Sequence, residues 1–207
     1  DDYTGETYVV FGKSGSFGSS VDLGALDGSD GFVLAGIDAW DFSGISVSEA
    51  GDVNGDGYSD ILIGASLADP DGVDGAGETY VVFGKGSGFT ASVDLGSLEA
   101  GDGFALAGID GSDQSGGSVS TAGDVNGDGY ADLLIGAAFA DPDGKDRAGE
   151  TYLIYGRDFT GSVTQEGGVS AETLTGSSGV DVLVGGGGDD RLEGAGGADV
   201  LTGGEGD

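Results

Sequence analysis

The sequence predicts an all-β protein assembled from short, repeated units, and four observations predict it. Residues 51–65, Gly-Asp-Val-Asn-Gly-Asp-Gly-Tyr-Ser-Asp-Ile-Leu-Ile-Gly-Ala, return at 123–137 with two substitutions, a step of 72 residues. The same step carries Gly-Glu-Thr-Tyr-Val-Val-Phe-Gly-Lys from 5–13 to 77–85, and on to Gly-Glu-Thr-Tyr-Leu-Ile-Tyr-Gly-Arg at 149–157. It also carries Gly-Phe-Val-Leu-Ala-Gly-Ile-Asp from 31–38 to a near copy at 103–110. Finally, the apolar residues arrive in runs too short for helices, such as Ile61-Leu-Ile63 and Tyr80-Val-Val-Phe83. Repetition on this scale means stacked or radially arranged units that cannot bury their apolar faces alone. Any function is therefore to be sought in the repeat.

The middle copy shows the elements in order. Residues 77–84 are β-branched and aromatic and end in a Gly-Lys-Gly-Ser-Gly turn, which predicts a strand. Residues 103–108 alternate large and small side chains, as an outer, half-buried strand does. Residues 117–122 are small and polar, suited to a crowded inner position where backbones approach closely. Residues 131–136 form a near-continuous apolar run, expected of a strand buried on both faces. Four short strands per unit describe a propeller blade; a solenoid coil is the rival, for which 72 residues is a long period.

Composition excludes several classes. Six basic against 38 acidic residues give a net charge of -32, which repels nucleic acid and anionic membrane surfaces. Bound cations or a salty medium would offset the self-repulsion. Cys, His and Met are absent, so there is no disulfide framework, no thiolate zinc site and no imidazole base. No apolar run approaches the roughly 20 residues of a membrane helix. The absence of an initiator Met and of a signal peptide leads us to expect an excerpt of a longer polypeptide.

The chemistry sits between the last two strands of the unit. Asp52, Asn54, Asp56 and Asp60 place oxygens at loop positions 1, 3, 5 and 9, with Gly57 at 6 and the carbonyl of Tyr58 at 7. The second copy repeats the set with Asp124, Asn126, Asp128, Asp132, Gly129 and Tyr130. These are hard ligands at calcium spacing, and three carboxylates suit Ca²⁺ better than Mg²⁺. Position 12 is Ile63 or Ile135, not the bidentate Glu of a helical EF-hand. A lone Asp-Gly is more often a hairpin turn, but four spaced oxygens, twice over, argue for a ligand set.

These blocks resemble the FG-GAP repeat of integrin α-subunit β-propellers and their bacterial relatives. The name-giving Phe-Gly is matched by Phe11-Gly12, Phe83-Gly84 and, with Tyr, Tyr155-Gly156. The Gly-Ala-Pro element lacks its proline at Ser66 and Ala138. The resemblance implies four-stranded blades with one Ca²⁺ in each motif-bearing blade, in a ring of about seven blades. Residues 1–157, holding two complete repeats and the trailing strand of a preceding one, are thus expected to be the end of a longer propeller, a partial β-propeller.

Residues 158–173 are Gly, Ser, Thr and Glu-rich and read as a linker. Beyond it a nine-residue period carries Leu174, Leu183, Leu192 and Leu201. Gly176, Gly185 and Gly194 keep the same step, as do Gly179, Gly188 and Gly197, and Asp181, Asp190 and Asp199. This resembles the Gly-Gly-x-Gly-x-Asp-x-apolar-x nonapeptide of the RTX proteins, which implies the start of a parallel β-roll over 174–207 that binds Ca²⁺ between stacked turns. A flexible Gly/Asp linker is the alternative, but linkers do not hold Leu at a fixed step. By the resemblance, the turn at 176–181 shares calcium with the turn at 194–199. The Asp190 turn pairs with the one starting at Gly203, whose aspartate is expected one residue beyond Asp207.

Other residues read as structural. Trp40 is expected to be a packed loop anchor, Asp69-Pro-Asp71 and Asp141-Pro-Asp143 to be solvated turns, and Glu78 and Glu150 to share one structural role. Lys13, Lys85 and Arg157 hold one repeat position at strand ends. The expected function is a non-catalytic extracellular calcium-binding module of a secreted or cell-surface bacterial protein. Its expected partners are calcium ions and an extracellular protein or glycan, with no nucleic acid and no membrane insertion. The resemblance to RTX tails implies export by type I secretion and folding in external calcium. The alternative is an accessory region of a secreted hydrolase whose catalytic domain lies elsewhere, since no nucleophile and base pair occurs here. A third reading ascribes the acidity to a saline habitat.

Overall fold

A computed structural model describes residues 3–204 and 206. Its helical content is limited to four one-turn 3-10 segments, and the rest is strand and loop. In chain order the first ten strands are β1 (Glu6–Val10), β2 (Gly31–Ala35), β3 (Ser46–Gly51), β4 (Asp60–Ala65), β5 (Glu78–Val82), β6 (Ser92–Asp94), β7 (Gly103–Ala107), β8 (Ser115–Gly123), β9 (Asp132–Ala137) and β10 (Glu150–Ile154). They form a complete four-stranded antiparallel sheet, β3-β4-β5-β7, between two three-stranded ones, β1-β2-β6 and β10-β9-β8. All four segments expected as strands in the middle copy are strands.

Repeat and sheet are out of phase. The complete sheet takes β3 and β4 from the first sequence copy and β5 and β7 from the second, because β4 pairs antiparallel with β5 from Ile61 opposite Val82 to Ala65 opposite Glu78. The sheets then stack face to face, as propeller blades do. On one face Ile63, Tyr80 and Val82 pack with Phe32, Leu34 and Leu95. On the other, Leu62, Val81 and Phe83 pack with Val53, Val119 and Leu133. Alternate residues of β4 and β5 thus serve two cores, which explains their continuous apolar runs. Gly64 lets β4 approach the next sheet closely: a Cβ there would collide with the carbonyl oxygen of Gly116. The β8 strand is small and polar for the same reason, and its Val119 amide donates to Ser46 Oγ at 3.0 Å.

The repeat keeps its polar contacts too. Tyr80 Oη donates to Glu78 at 2.5 Å and Tyr152 Oη to Glu150 at 2.6 Å, while Tyr8 does so to Glu6. Each cation after the third strand lies over a following ring: Lys13 over Phe17, Lys85 over Phe89 and Arg157 over Phe159, at 4.8, 5.1 and 4.9 Å from the centroids. Trp40 stacks on Tyr3 with ring centroids 4.6 Å apart, yet remains 60% exposed. It is less of a packed anchor than its sequence context implies.

The remaining strands are β11 (Gln165–Glu166), β12 (Thr173–Thr175), β13 (Val182–Val184), β14 (Arg191–Glu193) and β15 (Val200–Thr202). They pair in parallel at a step of 18 residues, Leu174 with Leu192 and Leu183 with Leu201, so two nonapeptides make one coil with sheets β11-β13-β15 and β12-β14. The stretch 158–173, expected as a linker, is largely ordered by its neighbours. Phe159 joins the second core beside Phe83 and Phe104. Asp158 Oδ1 accepts amides of Thr160, Gly161 and Ser162 at 3.1, 2.6 and 3.1 Å, and β11 already pairs with β13. The roll therefore begins one turn before Leu174.

Candidate metal centre

Each Asp loop is folded by its own backbone amides. Asp52 Oδ1 accepts the amides of Gly55 (2.7 Å) and Asp56 (3.1 Å), and Oδ2 that of Gly57 (2.9 Å). Asn54 Oδ1 accepts the Asp56 amide at 3.0 Å, Asn54 Nδ2 donates to Asp56 Oδ2 at 3.1 Å, and Asp56 Oδ1 accepts the Tyr58 amide at 2.9 Å. Gly55 and Gly57, at φ of 77° and 87°, supply the left-handed turns that aim these amides inward. Asp60 closes the loop by accepting the amides of Val53 (2.9 Å) and, from the end of β5, Gly84 (2.8 Å).

The second loop repeats the network. Asp124 Oδ1 accepts the amides of Gly127 (2.7 Å) and Asp128 (3.1 Å), and Oδ2 that of Gly129 (2.8 Å). Asn126 Nδ2 donates to Asp128 Oδ2 at 2.7 Å, and Asp128 Oδ1 accepts the Tyr130 amide at 3.0 Å. Asp132 accepts the amides of Val125 (2.8 Å) and Gly156 (3.0 Å).

Two carboxyls of the first loop are held above their ordinary range. Burial, offset in part by the Gly84 and Val53 amides and reinforced by Asp56 and Asp52, pushes the Asp60 carboxyl up to about 7. Burial likewise raises Asp52, with Asp56 adding to it. The ion pairs Lys85–Asp102, Lys145–Asp143 and Arg191–Glu193 lie elsewhere. Tyr130 is buried against the first loop, and burial, then Glu166, Asp158, Asp128 and Asp52, raises its phenol. Among the described residues no three acidic side chains converge into a ready cage, so the carboxylates are positioned by amides but not gathered. The donor set fits a hard cation: it is all oxygen, crowded with like charge, and held in a loop of calcium spacing.

In the roll, the turns superpose at the same 18-residue step. The Asp181 amide donates to Asp199 Oδ1 at 3.0 Å, and Asp181 Oδ2 accepts from the Ser177 amide at 2.7 Å, which brings the turns of Gly176, Gly179 and Asp181 onto those of Gly194, Gly197 and Asp199. A Cβ on Gly176 would stand 2.7 Å from the Gly194 carbonyl oxygen and 2.8 Å from Asp181 Oδ2. The Gly185, Gly188 and Asp190 turn has a lower neighbour as well: the Glu172 amide donates to Asp190 Oδ1 at 2.8 Å. Asp190 Oδ2 is buried with no hydrogen-bond partner among the described residues, an oxygen that could meet a cation. The turn starting at Gly203 runs into Glu205 and Asp207, which lie outside the described residues.

Glu172 and the Gly167–Gly168 pair were not expected in the roll. Their signal is in the sequence: Gly167 and Glu172 sit nine residues before Gly176 and Asp181, with Glu replacing Asp and Gln165 replacing the periodic Leu.

Comparison with known proteins agrees with this geometry. Residues 45–82 and 115–154 match the FG-GAP repeat, and residues 167–207 match the RTX calcium-binding nonapeptide repeat, described as four copies. The chain is 34% identical over 129 residues to Integrin alpha-PS2 of Drosophila melanogaster, covering 60% of this chain and 8% of that protein. No helix among the described residues is long and apolar enough to cross a membrane. RTX repeats bind calcium, and both repeat types suit extracellular or secreted proteins. The chain is thus an all-β polypeptide carrying integrin α-like FG-GAP repeats followed by an RTX calcium-binding repeat region.

Proposed function

We propose that these residues form a non-catalytic extracellular Ca²⁺-binding module of a larger secreted or cell-surface bacterial protein, serving adhesion to an extracellular protein or glycan. The proposed ligands are Asp52, Asn54, Asp56, Asp60 and the Tyr58 carbonyl in one loop, and Asp124, Asn126, Asp128, Asp132 and the Tyr130 carbonyl in the other. In the roll they are the carbonyl-lined turns of Gly176, Gly179, Gly185, Gly188, Gly194 and Gly197 with Asp181, Asp190 and Asp199. The propeller blades up to Arg157 and the roll from Gln165 onward act as the two modules. The observation that carries the reading is the pair of loops with identical, all-oxygen donor sets, whose carboxylates join none of the ion pairs among the described residues.

A bound cation would neutralise these carboxylates, and low calcium before export would leave the roll unfolded until it reached the outside through type I secretion. At a Kd of roughly 10⁻⁴ to 10⁻³ M, millimolar Ca²⁺ gives each site on the order of 0.4 to 1.4 kcal/mol, and several sites add. Calorimetric titration of the chain is expected to show two or more Ca²⁺ bound, and Asp56→Ala with Asp128→Ala and Asp199→Ala to abolish most of the heat. Equal heats for Mg²⁺, or an unchanged titration in the triple variant, would reject the assignment.

A further inference from the structure

The glycine at position 6 of each Asp loop is occupied from outside by the roll. A Cβ on Gly57 would lie 2.7 Å from Val200 Cγ1, and one on Gly129 would lie 2.5 Å from Val184 Cγ1, so each valine fills the hollow where a side chain would be. Val184 is fully buried and stands on β13; Val200 stands on the adjacent β15. One sheet of the roll therefore rests on the tips of both loops, which are 72 residues apart in sequence. The first loop is held from the other side as well. A Cβ on Gly55 would meet Tyr130 Cε1 at 2.6 Å and Val163 Cγ2 at 3.2 Å. Its carbonyls at Asp52 and Val53 accept the amides of Ala131 (2.8 Å) and Arg157 (2.9 Å).

We propose that the roll is a docking partner for both Asp loops, and that calcium binding in the two modules is coupled through the Val200–Gly57 and Val184–Gly129 contacts. The proposal rests on the reading of loops and roll as Ca²⁺ sites. A roll coiled around its own calcium presents the two valines at fixed spacing, which holds both loop tips in their closed turns. Loops closed on calcium present the hollows in return. Coupling is reciprocal, so each module raises the other's affinity by the same factor.

The test uses the full 207-residue chain and the amide resonances of Gly57 and Gly129 for the loops, and of Gly176 and Gly194 for the roll, during a CaCl₂ titration. Val184→Ala with Val200→Ala leaves every proposed ligand in place. It is expected to move the loop midpoint to at least about fivefold higher calcium, and the roll midpoint by the same factor. Midpoints that stay within about twofold of the parent's, with the roll resonances still responding, would overturn the coupling and leave the calcium sites standing. A second variant, Asp181→Asn with Asp199→Asn, weakens the roll's ligands and keeps the valines; the loop midpoint is again expected to rise, and an unmoved one would overturn the proposal even if the valine variant fails to fold. If none of the four resonances in the parent chain responds to calcium, the calcium reading falls and the coupling with it.

Discussion

Val53 and Val125 hold the same place in two loops of nearly identical sequence, yet Val53 is fully buried and Val125 is 51% exposed. The tyrosines at position 7 reverse the order: Tyr58 is 47% exposed and Tyr130 is buried. The first loop has a following blade over its Val-Asn side, so Val53 joins the core with Val119 and Leu133. The second loop lays Tyr130 on Gly55 of the first loop, and its Val-Asn side is open. Backbone amides fold both loops alike, so local sequence sets the shape of each loop while the neighbour sets its burial.

Single substitutions separate these two contributions. The largest effect is expected at Tyr130, wedged between the loops: Tyr130→Ala should cost about 4 kcal/mol in urea unfolding, and Tyr58→Ala about 1 kcal/mol. Similar losses at the two tyrosines would mean that the neighbouring loop does not set their contributions. Asp60→Ala leaves the Val53 and Gly84 amides without their acceptor, at an expected cost of about 3 kcal/mol. Asp132→Ala, which strands the Val125 and Gly156 amides, is expected to cost less, because solvent reaches the exposed Val125 amide. Val53→Ala should cost about 2 kcal/mol and Val125→Ala less than about 0.5 kcal/mol, by the same measurement.

A further effect is a slope. Because burial pushes the folded Asp60 carboxyl up to about 7 from the ordinary 3.8, the folded chain holds its proton where the unfolded chain has lost it. The calcium-free protein is therefore expected to be most stable, as far as this group is concerned, below about pH 4. That contribution is lost as pH rises toward 7, by at most about 1.4 kcal/mol per pH unit. Saturating calcium should flatten the slope, since the cation takes the proton's place. A calcium-free stability that rises steadily from pH 4 to 7 in the parent and equally in Asp60→Asn would contradict this.

Much of the fold was legible because the repeat compares the chain with itself. The β4 run Asp60–Ala65 and the small, polar β8 are recognisable once two copies are aligned, and each has a single physical reason, burial on both faces or close backbone approach. The ligand spacing of both loops was legible for the same reason. What the repeat could not disclose is phase and neighbourhood. That β4 pairs with β5 of the next copy as well as with β3 of its own depends on which strands meet in space. Glu172 was missed because Glu and Gln165 replace the periodic Asp and Leu, so the first coil breaks the pattern by which the others are found. The seating of Val200 on Gly57 joins residues 143 positions apart, and no local signal announces it.

The most direct test of calcium as the organising ion is far-UV circular dichroism of the chain, titrated in parallel with CaCl₂, MgCl₂ and NaCl at matched ionic strength. A gain of β-structure is expected at low-millimolar Ca²⁺ that the other two salts do not reproduce. Equal folding in NaCl would mean that screening of the -32 net charge is what the chain needs, and that its Asp loops are ordinary turns.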